Sequence, residues 1–160
     1  MQRVQKICQH PVWKEKMAEL VQLEKDRVFC KHGIEHLLDV ARLAYIENLE
    51  EHCGIDKECI YAAALLHDVG KGLQYTQKIP HEKGGIEFAS GILKDCGFDA
   101  QESKEILEAI AGHRDVSNKE CKNLLGILYR ADKHSRMCGF CKVCNLCNWS
   151  EEKKNYNIFL

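Results

Sequence analysis

Apolar residues recur along this chain at three- and four-residue spacing, and no stretch of useful length alternates with a period of two. Val12, Met17, Leu20, Val21 and Leu23 predict a first amphipathic helix reaching towards Val28. From His32 to Leu49, one stripe collects Leu37, Val40, Ala41, Ala44 and Tyr45. Gly54 breaks it, and Asp56 is the natural N-cap of a helix carrying Ile60, Ala63, Ala64 and His67. Gly70 and Gly72 open a loop through Pro80. A helix from about Glu82 to Cys96 follows, closed by Gly97. Asp99 to Glu102 reads as the start of a helix to Ala111, and Ser117 to Glu120 as a capping box for a last helix to about His134. The pattern predicts an all-α, single-domain bundle of five to seven helices without internal repeats. Its body spans residues 1–137, and a less regular tail, 138–160, packs on it through Phe140 and Trp149.

At 160 residues the chain is long enough for one core, and 45% hydrophobic with 29% charged residues is ordinary for a soluble protein. The formal net charge of −1 lacks the basic excess of a non-specific nucleic-acid binder, so no nucleic-acid polymer is expected as partner. The longest apolar stretch, Tyr61 to Leu66, is far too short to cross a bilayer, and the first ten residues lack the apolar centre of an export signal. Ten cysteines without such a signal predict free thiols in a reducing cytoplasm. Six of them (Cys8, Cys30, Cys53, Cys59, Cys96 and Cys121) are scattered and read as small apolar residues. The oligomeric state stays open.

Chemistry concentrates in a few polar residues set into apolar surroundings. His67-Asp68 follows Ala62-Ala-Ala-Leu-Leu66 and precedes Val69-Gly-Lys71. An imidazole and a carboxylate at the end of a core helix are costly to bury unless a cation or strong partner compensates. Asp132 likewise interrupts an apolar helical stretch, where ligation or pairing with Arg130 or Arg136 would account for it. His81 opens the helix after the glycine loop, and His113 ends the helix before Arg114. His32 and His36 are one helical turn apart and can point the same way.

The order His36…His67-Asp68…His81…His113…Asp132 resembles the HD-domain family of metal-dependent phosphohydrolases, over about residues 27–136. His36 followed four residues later by Val40-Ala41 is similar to that family's opening helix, with His32 as the alternative first ligand. The resemblance implies one divalent cation on His36, His67, Asp68 and Asp132, and a second sharing Asp68 with His81 and His113. Many relatives carry a second histidine after the one matched by His113; here Arg114 stands there, suited to a phosphate. Mixed imidazole and carboxylate ligands suit iron or manganese, with magnesium, nickel, cobalt or zinc as alternatives. Such a pair makes hydroxide available near neutral pH, with Asp68 and Lys71 as catalytic residues and Lys71 and Arg114 as contacts to substrate phosphate. The implied reaction is hydrolysis of a phosphate ester or anhydride, with a small phosphorylated molecule, a nucleotide, as substrate. A nucleotide- or metal-binding sensor with little turnover, and a di-iron oxygenase on nearly the same ligands, are the alternative readings.

The tail places Cys138, Cys141, Cys144 and Cys147 at regular two-residue gaps. That spacing is close to an iron–sulfur run, and each half suits zinc, so a separate metal site or unmetallated thiols both fit. The resemblance does not assign this appendage.

Overall fold

The computed structural model describes residues 1–158. Nine α-helical segments follow one another: α1 (Gln2–Gln9), α2 (Pro11–Leu23), α3 (Ile34–Glu50), α4 (Lys57–Leu66), α5 (Lys71–Gln77), α6 (His81–Gly84), α7 (Ile86–Cys96), α8 (Ala100–Gly112) and α9 (Leu124–His134). Seven of them have eight or more residues, and there is no strand among the described residues. The fold is an all-α bundle, as the apolar periodicity implies. Among the described residues no helix is long and apolar enough to cross a membrane.

α4 is the axis of the bundle. Ile60, Ala62, Ala63, Ala64, Leu65 and Leu66 are all buried, so this short helix is apolar on every side and must be wrapped. α3 covers one side through Leu37, Val40, Ala41 and Ala44, and α8 and α9 cover others through Ile106, Ala109, Ile110, Ile127 and Leu128. Asp56 caps α4, accepting from Glu58 N at 2.9 Å and Cys59 N at 3.2 Å. Asp99 and Glu102 form the capping box of α8, and Gly97 ends α7 at φ 88°.

Several boundaries depart from the sequence reading. α1 precedes α2 and docks through Arg3, which reaches Glu58 (2.7 Å) and Glu102 (2.5 Å) and lies over the Phe98 ring at 4.3 Å. The segment after Gly70 is helical rather than a loop, because α5 packs on α2 and α6. The helix expected from Glu82 to Cys96 is divided into α6 and α7 at Gly85. A Cβ on Gly70 would lie 2.4 Å from both Gly85 N and His81 O, so glycine lets these two backbones meet. Ser117–Glu120 is not the cap of α9. Asp115 caps a 3-10 turn at Val116–Asn118, and Asn123 caps α9 instead. The chain folds back there against Gly126, where a Cβ would fall 2.0 Å from Cys121 O.

His32 lies outside α3, ahead of its N-cap Gly33, so the shared helical face with His36 does not exist. Cys59 and Cys96 are buried, whereas Cys8, Cys30, Cys53 and Cys121 are half-buried; all ten thiols are free. In the tail, Phe140 is 74% exposed and does not pack on the body, while Trp149 is half-buried.

Candidate metal centre

Helix ends converge on one point. α4 delivers His67 as its C-cap residue with Asp68 next, and α8 delivers His113 as its C-cap residue. His36 comes from the first turn of α3, His81 opens α6, and Asp132 lies in the last turns of α9. The C-terminal ends of α4 and α8 turn their carbonyl dipoles to this point, which favours positive charge. His36, His67, Asp68, His81, His113 and Asp132 are all buried.

Asp68 divides its two oxygens between two imidazole groups. Oδ2 lies 3.3 Å from His67 Nε2 and 3.7 Å from His36 Nε2. Oδ1 lies 3.1 Å from His81 Nε2 and 3.6 Å from Lys71 Nζ. Asp132 Oδ1 faces the first group, 3.4 Å from His36 Nε2 and 3.8 Å from His67 Nε2. Two triads, His36–His67–Asp68 and Asp68–His81–His113, each offer one ligand atom per residue within 4.8 Å of one another.

Hydrogen bonds behind the rings set their tautomers. His67 Nδ1 donates to Ala64 O at 2.7 Å, His113 Nδ1 to Ile110 O at 2.6 Å, and His81 Nδ1 to Gln74 Oε1. Each therefore turns a bare Nε2 lone pair inwards. His67 Nε2 is buried with no hydrogen-bond partner among the described residues, and the Nε2 atoms of His81 and His113 meet at 3.1 Å. Burial pushes the imidazoles of His81 and His113 down to about 2 and about 4, and that of His36 to about 4, so all three are neutral at pH 7. Burial opposes charge on Asp68, but His67 and Lys71 outweigh it and hold the carboxyl well below its usual range. Asp132 is likewise held low against burial, by His36 and Lys133. Burial opposes charge on His67, but Asp68 and Asp132 outweigh it and raise that imidazole above its ordinary value, so this point favours positive charge. With neutral His36, His81 and His113 and the two carboxylates, the donor set fits divalent cations.

His32 does not join either triad. It serves Glu24, a buried carboxylate that accepts from His32 N (2.7 Å), from the His32 ring and from Tyr75 OH (2.5 Å). Its ring stands edge-on to His36 at 5.8 Å. The sequence offers Arg136 only as a partner of Asp132, yet it does more. Its Nη2 is 2.9 Å from His36 Nε2 and 3.8 Å from Asp132 Oδ1, while Nη1 donates to Lys31 O at 3.1 Å. Arg130 pairs with Glu47 instead (2.8 Å). Gln74 and Arg136 support the site and escape a motif reading; the one local hint is that Arg136 follows Asp132 by a helical turn. Arg114 is exposed at the rim, paired with Glu82 at 3.2 Å.

The centre opens into a cavity of about 1240 Å³ whose lining includes Asp68, Lys71, His81, His113, Arg114 and Asp132. Cys138 and Cys147 also line it, but the four tail thiols do not assemble. Among the described residues no group of three ligand atoms within 4.8 Å includes any of them.

The HD domain family model matches residues 33–137. A protein of Clostridium beijerinckii described as uncharacterised is 48% identical over 136 residues, 85% of either chain. Ribonuclease Y of Oleidesulfovibrio alaskensis is 32% identical over 122 residues, and ribonuclease Y of Thermus thermophilus 34% over 92. This chain spans only 21% and 14% of those two relatives' length. A crystal structure described as a predicted HD superfamily hydrolase, from an uncultured Thermotogales bacterium, superimposes with a TM-score of 0.63 at 26% identity. That match covers 88% of this chain and 80% of the other.

Proposed function

The chain belongs to the HD domain family, and from that premise we propose that it is a metal-dependent phosphohydrolase acting on a phosphate ester or anhydride of a nucleotide. The observation that carries the reading is Asp68, a buried carboxylate with one oxygen on each of two imidazole groups. In this reading His36, His67, Asp68 and Asp132 hold one divalent cation, and Asp68, His81 and His113 hold a second, iron or manganese by the character of the donors. When bound, such ions supply Lewis-acid polarisation and a nucleophilic water at neutral pH.

The chain's own groups supply orientation and charge. The Ala64 and Ile110 carbonyls fix the rings of His67 and His113, so no reorganisation is needed as charge develops. Lys71 stands on the Oδ1 side of Asp68, half-buried, where its ammonium can meet a non-bridging phosphate oxygen. Arg114 offers a second positive charge at the rim once it exchanges Glu82 for phosphate.

Phosphate release from a nucleotide panel, with manganese or ferrous ion, tests the reading; Asp68→Ala must abolish it. Tight nucleotide binding without release would favour a sensor, and oxygen-dependent turnover an oxygenase. The likeness to ribonuclease Y favours a second substrate, a phosphodiester of RNA. A labelled oligoribonucleotide in the same assay separates the two.

A further inference from the structure

The cysteine-bearing tail is not a loose appendage. The backbone N–H of Cys138 donates to Asn155 O at 2.9 Å, and Asn155 Nδ2 donates to His134 O, at the end of α9, at 2.8 Å. Asn155 is buried, so residues 138–155 form a loop tied at its base. Farther along, Glu151 accepts from Lys154 Nζ (2.5 Å) and Tyr156 OH (2.8 Å), which stiffens the returning limb of the loop. Residues held this way line the same cavity as Asp68, His81 and His113.

Two of them carry no polar bond from their side chains among the described residues: Trp149, half-buried, through its indole N–H, and Lys153, exposed, through its ammonium. Phe29 and Tyr129 add aromatic surface to the lining. The volume, about 1240 Å³, exceeds the roughly 300–1,000 Å³ that a compact small ligand fills. It leaves room for a base, a ribose and more than one phosphate beside the carboxylates.

We infer that the 138–155 loop recognises the part of the substrate that is not cleaved: Trp149 stacks on a nucleobase and Lys153 meets a further phosphate, making the substrate a nucleoside polyphosphate. This rests on the phosphohydrolase reading for the place of the scissile group. Stacking suits Trp149 because it needs a flat apolar face and no hydrogen-bond code.

The test is calorimetric binding to the full chain in manganese, with adenosine 5′-monophosphate, ribose 5-phosphate and adenosine 5′-diphosphate as probes. Trp149→Ala should weaken adenosine monophosphate about tenfold and leave ribose 5-phosphate unchanged, with Trp149→Phe restoring most of the loss. Lys153→Gln should weaken the diphosphate about fivefold more than the monophosphate. Equal weakening of the base-bearing and base-free probes, no change in either, or a wild-type chain that binds both equally would overturn the inference. Hydrolysis of p-nitrophenyl phosphate, lost in Asp68→Asn, keeps the two readings apart. Hydrolysis without base discrimination removes the loop's role alone, and discrimination without hydrolysis removes the catalytic reading alone.

Discussion

His81 and His113 point their Nε2 atoms at each other across 3.1 Å, while each commits Nδ1 to an oxygen behind it. Two neutral imidazoles in that pose oppose lone pair to lone pair, and burial keeps both from taking a proton near pH 7. A divalent cation held by these two rings and Asp68 would relieve the opposition. His113→Ala should therefore cut metal content from two ions per chain to one and lower hydrolysis at least 100-fold, read by elemental analysis and phosphate release.

Asp68→Asn preserves shape and removes the charge that both triads share. Both ions should be lost and turnover should fall at least 1,000-fold, with helical content by circular dichroism unchanged.

Chelation gives an independent check on the same centre. With free metal at 100 times its dissociation constant, one site adds about 2.7 kcal/mol to apparent stability. A chelator should lower the Tm of the wild-type chain and leave that of Asp68→Asn where it was. Equal shifts in both proteins would place the metal elsewhere.

Gly70→Ala tests the joint between the two halves of the site. The new methyl would meet the backbone of His81 and Gly85 at 2.4 Å, where no flexible side chain can give way. A loss of about 3 kcal/mol or more in urea unfolding is expected, together with weaker metal binding. Gly91→Ala, with nothing within 4 Å, is the control and should be neutral or stabilising.

Acid should release α1 before the core unfolds. Hydrogen bonds from Arg3 hold the carboxyls of Glu58 and Glu102 below their ordinary value of 4.5. Because the folded pKa values are depressed, their contribution is full above pH 4.5 and lost as pH falls through the folded values. Arg3→Ala should flatten that part of the stability–pH curve and cost about 1–2 kcal/mol at pH 7, counting the Phe98 contact.

Local devices are what the sequence discloses. The stripe from Leu37 to Tyr45, the Asp56 cap, the Asp99–Glu102 box and the Gly97 terminus each depend on residues within a turn or two, and each stands in the structure. The break at Gly85 and the late start of α9 depend instead on Gly70 meeting Gly85 and Gly126 meeting Cys121, which no local pattern encodes. The cost of burial singles out His67, Asp68 and Asp132, while His36, His81 and His113 are found through the order that resembles the HD-domain family. Gln74 and Glu24 look like ordinary surface residues until the fold turns them inwards. His32 shows the opposite error: correct spacing for a helix that has not yet begun.

One amide side chain, Asn155, closes the C-terminal loop against the end of α9. A segment fastened at its base in this way can be swapped, lengthened or recoloured in charge without rethreading any helix. Selection can thus retool the faceplate of this protein while the engine behind it stays the same.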